Sequence, residues 1–434
     1  MKRRLLPILM TLVLVCALPI WAAFVTSGDV TNPLVSTAGA TSPPDTAATR
    51  LKSAISNGGD VRLTEDIEIR ETLLVTRDVT LDLNGHVLKM TGDGSVLRVK
   101  KDGPDRVTLI ITDSRPQNPH GSYADLPAGG VITGGKGTDA GGSVRSVGGA
   151  VFLENGTTLK LEGGTLTGNS SHGSVFINGA TFVMTGGTIT GETVGVHNNV
   201  GTFTMIGGRI TGCSDRGVYV YNGNMTMSGT AYIGENPNAR REDIYVYESD
   251  HKYTDLSVTG GTIAGKVRIV FLESLGPTKE DLRAAANSVV KEQGVFDGHI
   301  KVEKGTSGTC VDYNSVNFID EVAKTRTLKL VLQPNAVEKP ETPATVNGRE
   351  FMYWTKEGAS EAWDFNTEIK GPLTLYAVRT PASSSGGYYY YPTTDTKADD
   401  AKGSPKTADP GVALYAALSL LSLTGLTCTA RKKF

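Results

Sequence analysis

Most sites that cleave polysaccharides use acidic side chains. A hydrolase needs an acid/base pair beside the scissile bond, and a lyase holds Ca²⁺ with clustered carboxylates. Residues 150–236 contain one Asp and four Glu, none of them adjacent: Asp215, Glu154, Glu162, Glu192 and Glu235. Only Asp215 and Asp243 could meet across neighbouring chain turns. The sequence therefore predicts a non-enzymatic protein with no catalytic residues, no metal and no cofactor.

Aromatic side chains form a sharper pattern. One position in five successive repeats carries a ring: Phe152, Phe176, His197, Tyr219 and Tyr245. Because side chains alternate between the two faces of a strand, these rings should point away from their aliphatic neighbours. Tyr221 and Tyr247 extend the row sideways. An exposed aromatic row is a candidate binding site for sugars or partner side chains. The alternative is a structural stack, or a row covered by a loop such as 115–127.

The repeat that carries these rings combines an aliphatic strand with Gly-Gly-Thr-(Ile/Leu)-Thr-Gly. Its first Gly falls at positions 163, 186, 207, 229 and 260, in steps of 23, 21, 22 and 31 residues. The polar stretch 236–252 lies within the longest step. A constant period of this length is typical of a solenoid. The 52 Gly residues of the 434-residue chain are concentrated in this region, as repeated turns require.

Each repeat reads as three short strands, and their aliphatic residues should face inward. The first full unit supplies Val151, Leu153, Leu159, Leu161 and Leu166. Three strands at about 3.3 Å per residue return the chain to its start, so that coils stack about 4.8 Å apart. The sequence therefore predicts an all-β fold, a right-handed parallel β-helix of about 22-residue coils. Stacked amides are expected at the first turn, from Asn155, Asn178, Asn199 and Asn222.

The exposed ends of such a solenoid must be covered by capping elements. A helix over 46–56, with Asp45 as its cap, should close the first end, and Asn57-Gly58 should stop it. At the other end, a helix over 278–291 begins with a capping-box pattern from Thr278 to Asp281. Residues 45–314 are therefore assigned to the capped β-helix.

Composition and charge exclude several classes of protein. The net charge is −2, which gives no bulk field for nucleic acid. Cys213 and Cys310 are the two cysteines between the apolar ends, about 100 residues apart, so that a dense disulfide framework is excluded. Two buried free thiols are expected, and one bridge is the alternative.

The chain ends indicate export and anchoring. Residues 1–23 have basic residues, an apolar run and small residues, as a signal peptide does. An uncleaved anchor is the alternative. Residues 411–430 are apolar and long enough to span a bilayer, and the basic tail after them should stay cytoplasmic. The remaining chain is therefore expected outside the cell.

Segments of different composition flank the β-helix. Residues 24–44 read as a linker and 381–403 as a Ser/Gly/Tyr-rich spacer. Between the β-helix and the spacer, residues 315–380 should form a small domain. Its core is expected from Phe351, Tyr353, Trp354, Trp363, Phe365, Leu373, Leu375 and Tyr376.

Three resemblances give these segments a context. The repeat, together with VTLDLNGHVL at 79–88, resembles the pectin-lyase-like parallel β-helices of bacterial surfaces over about 45–310. Residues 315–380 resemble an internalin-type B repeat, also called the Listeria–Bacteroides repeat. The similar segments are FMYW at 351–354, WDFN at 363–366 and LTLYAV at 373–378. This second resemblance implies a small β-grasp-like module for spacing or interaction.

The C-terminal region 404–434 is similar to a Gram-positive sortase signal of the LPXTG type, in its SPKTG variant. The motif residues are Ser404, Pro405, Lys406, Thr407 and Ala408. The resemblance implies that a sortase cuts after Thr407 and joins it to cell-wall peptidoglycan. Ala408 stands where the family usually has Gly. A simple membrane anchor is the alternative.

Together these features predict a cell-surface protein of a Gram-positive bacterium. It would act in adhesion, or bind a glycan or protein through the aromatic row. A surface-anchored carbohydrate-active enzyme is the rival, and a structural stalk is the third alternative. The fold alone does not distinguish among these functions.

Overall fold

The computed structural model describes residues 46–139, 146–236, 242–250, 255–289, 295–305 and 308–381. The predicted signal peptide (1–23), linker (24–44), sorting signal (404–434) and nearly all of the spacer lie outside these residues. The larger compact unit contains the described residues up to 346 and from 350 to 380. Residues 347–349 and 381 belong to a second unit, in which Asn347 and Gly348 have left-handed backbone (φ 52° and 71°).

The larger unit contains three β-sheets, and each sheet is built of strands from successive coils. The first sheet has eight strands: Gly59–Arg62, Val79–Asp82, Val107–Thr112, Thr157–Leu161, Thr181–Met184, Thr202–Met205, Asn224–Met227 and Leu256–Val258. The second has nine: Ile67–Ile69, Val87–Met90, Val131–Thr133, Thr165–Thr167, Thr188–Thr190, Arg209–Thr211, Tyr232–Gly234, Thr262–Ala264 and Val295–Phe296.

The third sheet has thirteen strands. The first nine are parallel: Leu73–Val75, Leu97–Val99, Val151–Leu153, Val175–Asn178, Val194–Asn199, Arg216–Tyr221, Ile244–Glu248, Lys266–Phe271 and His299–Lys304. Four more follow: Cys310–Asp320, Thr325–Leu332, Phe351–Lys356 and Leu373–Arg379. Each turn of the chain up to Phe271 adds one strand to each sheet, and the last turn adds a strand to the second and third sheets only. The predicted all-β parallel β-helix is therefore confirmed.

The interior is filled by ladders of the predicted inward residues. Phe182 pairs with Leu159 on one side and with Phe203 on the other. The rings of Phe182 and Phe203 stack 4.9 Å apart, with 13° between their planes. Every inward residue named from the first unit, Val151, Leu153, Leu159, Leu161 and Leu166, is fully buried. Removal of this apolar surface from water, at about 25 cal/mol per Å², is the main stabilising contribution.

Helices close both ends of this core. The helix Ala47–Asn57 buries Leu51 and Ile55 against the first coil, and Gly58 ends it with a φ of 79°. Its N-cap is Thr46 and not the predicted Asp45, because the Thr46 side chain accepts from the backbone N–H of Thr49 at 3.2 Å. The helix starts one residue later than the sequence predicts.

The second helix, Lys279–Val289, follows a 3-10 turn at Glu273–Leu275. Thr278 and Asp281 form the predicted capping box: the Thr278 N–H donates to Asp281 Oδ2 at 2.8 Å, and the Asp281 N–H donates to Thr278 Oγ1 at 3.1 Å. The helix buries Leu282, Ala285, Ala286 and Val289. The two cysteines of the described residues, Cys213 and Cys310, are free. Cys213 is buried inside the β-helix as expected, but the expectation of a second buried thiol is wrong, because Cys310 is exposed at the start of its strand.

Residues 315–380 continue the third sheet. The strand Cys310–Asp320 runs antiparallel to His299–Lys304 and parallel to Leu373–Arg379, and it spans the 314/315 boundary chosen from sequence. A separate apolar cluster packs on this extension: Val316, Phe318, Val331, Val337, Trp354, Ile369 and Leu375, with Phe351, Trp363, Phe365, Leu373 and Ala377 beside them. A buried Arg379–Asp320 ion pair (2.6 Å) ties its last strand to the connecting strand.

Candidate binding face

Strand register on the third sheet aligns the predicted aromatic row into one column. Along the parallel strands the column reads Arg98, Phe152, Phe176, His197, Tyr219, Tyr245, Arg268 and Lys301. A second column, two residues further along each strand, reads Asn178, Asn199, Tyr221, Tyr247, Val270 and Glu303. One residue of each column therefore comes from each coil.

The first three rings of the row are covered. Phe152 and Phe176 stack 5.4 Å apart with 3° between their planes, and they form an apolar cluster with Val147 that is separate from the interior. Their exposed fractions are 3% and 1%, and that of His197 is 5%. These rings point out of the coil, as alternation predicts, but the chain around Val147 lies over them. Phe152, Phe176 and His197 are therefore not available to a ligand from outside.

The loop suggested as a cover lies elsewhere. Tyr123, within 115–127, donates its hydroxyl hydrogen bond to Glu68 at 2.8 Å, and the Lys89 ammonium lies over its ring at 5.0 Å. Glu68 and Lys89 pair on the second sheet. The cover of the aromatic row comes instead from the turns at 146–148 and 171–173, where the Gly148 N–H donates to the Gly173 carbonyl at 2.9 Å.

His172 marks the edge of the covered region. Its exposed ring lies edge-on to His197 at 5.4 Å and to Tyr219 at 6.4 Å. The His172 carbonyl also contacts His197 Nδ1 at 3.3 Å. Burial lowers the pKa of His197 to about 4, and the nearby His172 contributes in the same direction. His197 is therefore neutral at physiological pH and belongs to the packing beneath the cover.

The four tyrosines beyond this edge are half-buried; we call Tyr219, Tyr221, Tyr245 and Tyr247 the tyrosine face. Tyr221 and Tyr247 stack with centroids 5.6 Å apart and 5° between their planes. Tyr219 and Tyr245 meet at 5.4 Å with an edge-to-face angle of 61°. The tyrosine face is the part of the predicted row that solvent reaches.

The hydroxyl groups of the tyrosine face differ from those of three tyrosines elsewhere, whereas Tyr313 and Tyr376 resemble the tyrosine face because their hydroxyls also make no hydrogen bond within the described residues. Tyr123, Tyr232 and Tyr353 donate to Glu68, Glu235 and the Ser360 carbonyl at 2.8, 3.0 and 2.9 Å. None of the four hydroxyls of the tyrosine face makes a hydrogen bond to another residue of the described ranges. Burial raises the pKa of Tyr219 to about 12, so that this hydroxyl stays protonated and can both donate and accept.

Arginine side chains border the rings. The Arg216 guanidinium lies 4.4 Å from the ring centre of Tyr245 and 5.4 Å from that of Tyr219, and Arg268 lies 5.6 Å from Tyr245. Sequence reasoning missed both. A signal was present for Arg268, because Val267 and Ile269 flank it as aliphatic residues flank every ring of the row. Lys301, between Ile300 and Val302, continues the same pattern.

Each of these cations has carboxylate partners. Arg216 Nη1 lies 3.0 Å from Asp215, and its Nε lies 3.8 Å from Glu242. Arg268 Nη1 lies 3.4 Å from the same Glu242, and its Nε donates to Glu303 at 2.8 Å. The Lys301 ammonium lies 2.8 Å from the other oxygen of Glu303. A continuous network of ion pairs therefore runs beside the tyrosine face.

The one acidic pair considered from sequence has separate partners. Val218 pairs with Ile244, which puts Asp243 two residues out of register with Asp215. The Asp243 carboxylate accepts from the backbone N–H of Lys266 at 3.1 Å and from the Asn236 side chain, and burial raises its pKa. Its oxygens thus stabilise a turn of the β-helix, while Asp215 contacts Arg216.

A further buried carboxyl, that of Glu192, lies in the turn between the strands Thr188–Thr190 and Val194–Asn199. Glu192 accepts from the Asn169 N–H and amide side chain at 3.0 Å each, and from Ser174 Oγ at 3.2 Å. Burial raises its pKa to about 7, although these hydrogen bonds act in the opposite direction. Within the described ranges no three His, Cys, Asp or Glu side chains are grouped so that they could hold a metal ion.

Two further findings complete the description. Across the described part of the chain, no helix combines the length and apolar character needed to cross a membrane. Comparison with family models, with curated proteins and with solved structures finds no match to this chain.

Proposed function

We propose that this chain is a surface-displayed binding protein that recognises a glycan through the tyrosine face. The observation that carries the proposal is the set of four half-buried tyrosines whose hydroxyls have no protein hydrogen bond within the described residues. Tyrosine combines an apolar ring with a polar tip, which suits a ligand that presents both C–H faces and hydroxyls. Sugars have this combination.

Spacing along the β-helix supports an extended ligand. Rings in neighbouring coils lie 5.4 Å and 5.6 Å apart in the two columns. This separation is comparable to the length of one sugar unit in an extended polysaccharide, so that consecutive units could meet consecutive coils. The rings need little rearrangement, because each is held by a regular strand with few free side-chain torsions.

The proposal that the protein is displayed on the cell surface is supported by sequence features alone. The proposal includes export by the signal peptide 1–23, attachment by a sortase after Thr407, and peptidoglycan of a Gram-positive bacterium as the attachment partner. The pectin-lyase-like resemblance of the β-helix and the B-repeat resemblance of 315–380 support this extracellular arrangement. In it, residues 315–403 hold the β-helix away from the wall.

The test is a glycan-array screen of the purified full chain. In the variants, either Tyr219 and Tyr245 or Tyr221 and Tyr247 are replaced by Ser. We expect each pair to weaken binding about tenfold or more, because two aromatic contacts are lost. Tyr232→Ser is the matched control, since Tyr232 is half-buried on the second sheet, and it should bind as the parent does.

Undiminished binding by both double variants, with far-UV circular dichroism unchanged, would contradict the proposal. The same samples should be assayed for reducing ends and for unsaturated products at 235 nm. Turnover would instead support the rival function, a surface-anchored carbohydrate-active enzyme, and Asp215 and Asp243 would be the first residues to replace.

A further inference from the structure

Val200 combines three features that rarely occur together: it is apolar, exposed and left-handed in its backbone. Its exposed fraction is 58%, and its φ is 58°. Seven non-glycine residues of the described ranges have a positive φ, and Val200 is the one β-branched residue among them. A branched Cβ crowds the backbone in this conformation, so Val200 is strained. Because its side chain is exposed, burial does not offset this loss of stability.

The equivalent turns of the neighbouring coils have residues that tolerate this backbone. Gly179 comes one coil before Val200 with a φ of 64°, and Asn222 comes one coil after it with a φ of 46°. The N–H groups of Gly179, Val200 and Asn222 each donate to the second-column carbonyl of the following coil, at 3.0, 3.0 and 3.1 Å. Glycine and asparagine are the residues that adopt left-handed backbone most readily. Valine therefore departs from what this turn of the fold requires.

A fully buried asparagine, Asn198, fixes the turn that contains Val200. Asn198 Oδ1 accepts from the Gly201 N–H at 3.0 Å, and Asn198 Nδ2 donates to the carbonyls of Gly201 and Asn224 at 3.1 and 2.9 Å. Val200 lies between the two residues that these bonds join, so its backbone conformation is imposed by the turn. Strained residues held by their surroundings in this way are concentrated at ligand-binding sites.

Val200 lies at the edge of the tyrosine face. Its N–H donates to the Tyr221 carbonyl at 3.0 Å, and the preceding residue, Asn199, is in register with Tyr221. Val200 comes from the same coil as the covered His197, but its own side chain is open to solvent. It therefore adds an exposed aliphatic surface beside the stack of Tyr221 and Tyr247, one coil further along the β-helix. Contiguous exposed apolar surface is typical of binding sites.

Resting on the proposed glycan-binding function, we propose that Val200 is a specificity-determining contact of the same site. A glycan that lies on the stack of Tyr221 and Tyr247 extends to Val200 and places a non-polar group against it. Valine offers no donor or acceptor, so a sugar hydroxyl at this place would lose its water without a replacement. The ligand is therefore a polysaccharide with a methyl-bearing unit beside the tyrosine stack, such as an acetamido or 6-deoxy sugar.

The experiment measures binding of the full chain to a glycan array with matched pairs. Chitin and cellulose oligosaccharides differ in an acetamido group against a hydroxyl, and fucose- and galactose-terminated glycans differ in a methyl against a hydroxymethyl group. We expect the parent to bind the methyl-bearing member of a pair about threefold to tenfold more tightly. Equal binding of both members, or tighter binding of the hydroxyl-bearing member, would overturn the proposed specificity.

Two substitutions separate the contact from the strain. Val200→Thr keeps the branched Cβ and replaces one methyl by a hydroxyl, so the urea midpoint of unfolding should not change, whereas binding should weaken about threefold or more. Val200→Gly removes the contact and the strain together, so the urea midpoint should rise while binding weakens. Ile206→Thr is the matched control, because Ile206 is 43% exposed in the turn after the first-sheet strand Thr202–Met205. It should bind as the parent does.

The outcomes distinguish this inference from the proposed function on which it rests. Unchanged binding by both Val200 variants, with binding lost in the Tyr221 and Tyr247 double variant, would overturn the role of Val200 and leave glycan binding at the tyrosine face standing. A lower urea midpoint for Val200→Gly would show that Val200 is not strained, which also overturns the inference. Absence of binding to every glycan of the array would overturn both proposals.

Discussion

Two pairs of stacked rings on one sheet have nearly the same geometry and opposite surroundings. Phe152 and Phe176 stack at 5.4 Å and 3°, and Tyr221 and Tyr247 stack at 5.6 Å and 5°. The phenylalanines are buried under the chain around Val147, whereas the tyrosines are half-buried. The difference lies in what covers the strands and not in the strands themselves.

This comparison separates two roles for one structural pattern. In the covered region, the outward rings form a second, small core on the outer side of the sheet, and their burial stabilises the fold. In the open region, the outward rings retain solvent contact, and their hydroxyls make no hydrogen bond to the residues that the structure describes. The residue types follow the same division, because Phe has no polar atom to satisfy and Tyr does.

The largest expected effect is the difference in stability lost when one ring is removed from each of the two stacks. Phe176→Ala removes a buried ring from contact with both Phe152 and His197, and it should lower the free energy of unfolding by about 3–5 kcal/mol. Tyr221→Ala, in the open stack, should cost about 1 kcal/mol. Urea unfolding of the parent and both variants measures the difference. Equal losses would mean that the cover over Phe176 contributes no burial.

Two buried carboxyl groups have pKa values that are shifted in opposite directions, so their contributions to stability should change with pH in opposite directions. The pKa of Glu192 rises from 4.5 to about 7 in the fold. The folded state therefore binds more protons between these values, and stability is lost as pH rises through them, by about 3 kcal/mol. Glu303 has a lowered pKa, so its contribution is present above 4.5 and is lost as pH falls.

Unfolding by urea at about pH 5 and about pH 8 tests the sign for Glu192, and unfolding at about pH 5 and about pH 3 tests the sign for Glu303. Glu192→Gln cannot ionise and should remove most of the stability loss that the parent suffers between about pH 5 and about pH 8. Glu303→Gln should instead reduce the loss of stability on acidification. A Glu192→Gln variant with the parent's pH dependence would show that Glu192 titrates normally in the folded chain.

Alternation and period allowed much of this molecule to be predicted. The 22-residue repeat predicted the parallel β-helix, and parity predicted that Phe152 and Tyr219 leave the coil on the same side. Neither could predict the cover, because Val147 lies outside any strand and reaches Phe152 and Phe176 only through the course of its loop. Arg268 could not be predicted for another reason: it has no ring, so a pattern defined by aromatic side chains ends at Tyr245.

The smallest expected effect concerns the second column, where amides precede the tyrosine stack. Asn199 Nδ2 donates to Asn178 Oδ1 at 3.0 Å, one rung of the predicted ladder, whereas Asn222 pairs instead with Ser249 Oγ at 2.5 Å. Asn199 is also in register with Tyr221 in the next coil. The column therefore changes from amide to ring at the coil where the cover ends.

Asn199→Ala should lower the free energy of unfolding by about 0.5–1.5 kcal/mol, the net value of one hydrogen bond that is only half-buried. Asn155→Ala is the control, because Asn155 is exposed at the equivalent turn and should cost less than about 0.5 kcal/mol. Because the rung lies beside the stack without forming part of it, glycan binding should be unchanged in both variants. Weaker binding by Asn199→Ala would mean that the amide rung positions Tyr221, and the binding surface would then extend into the region that the cover protects.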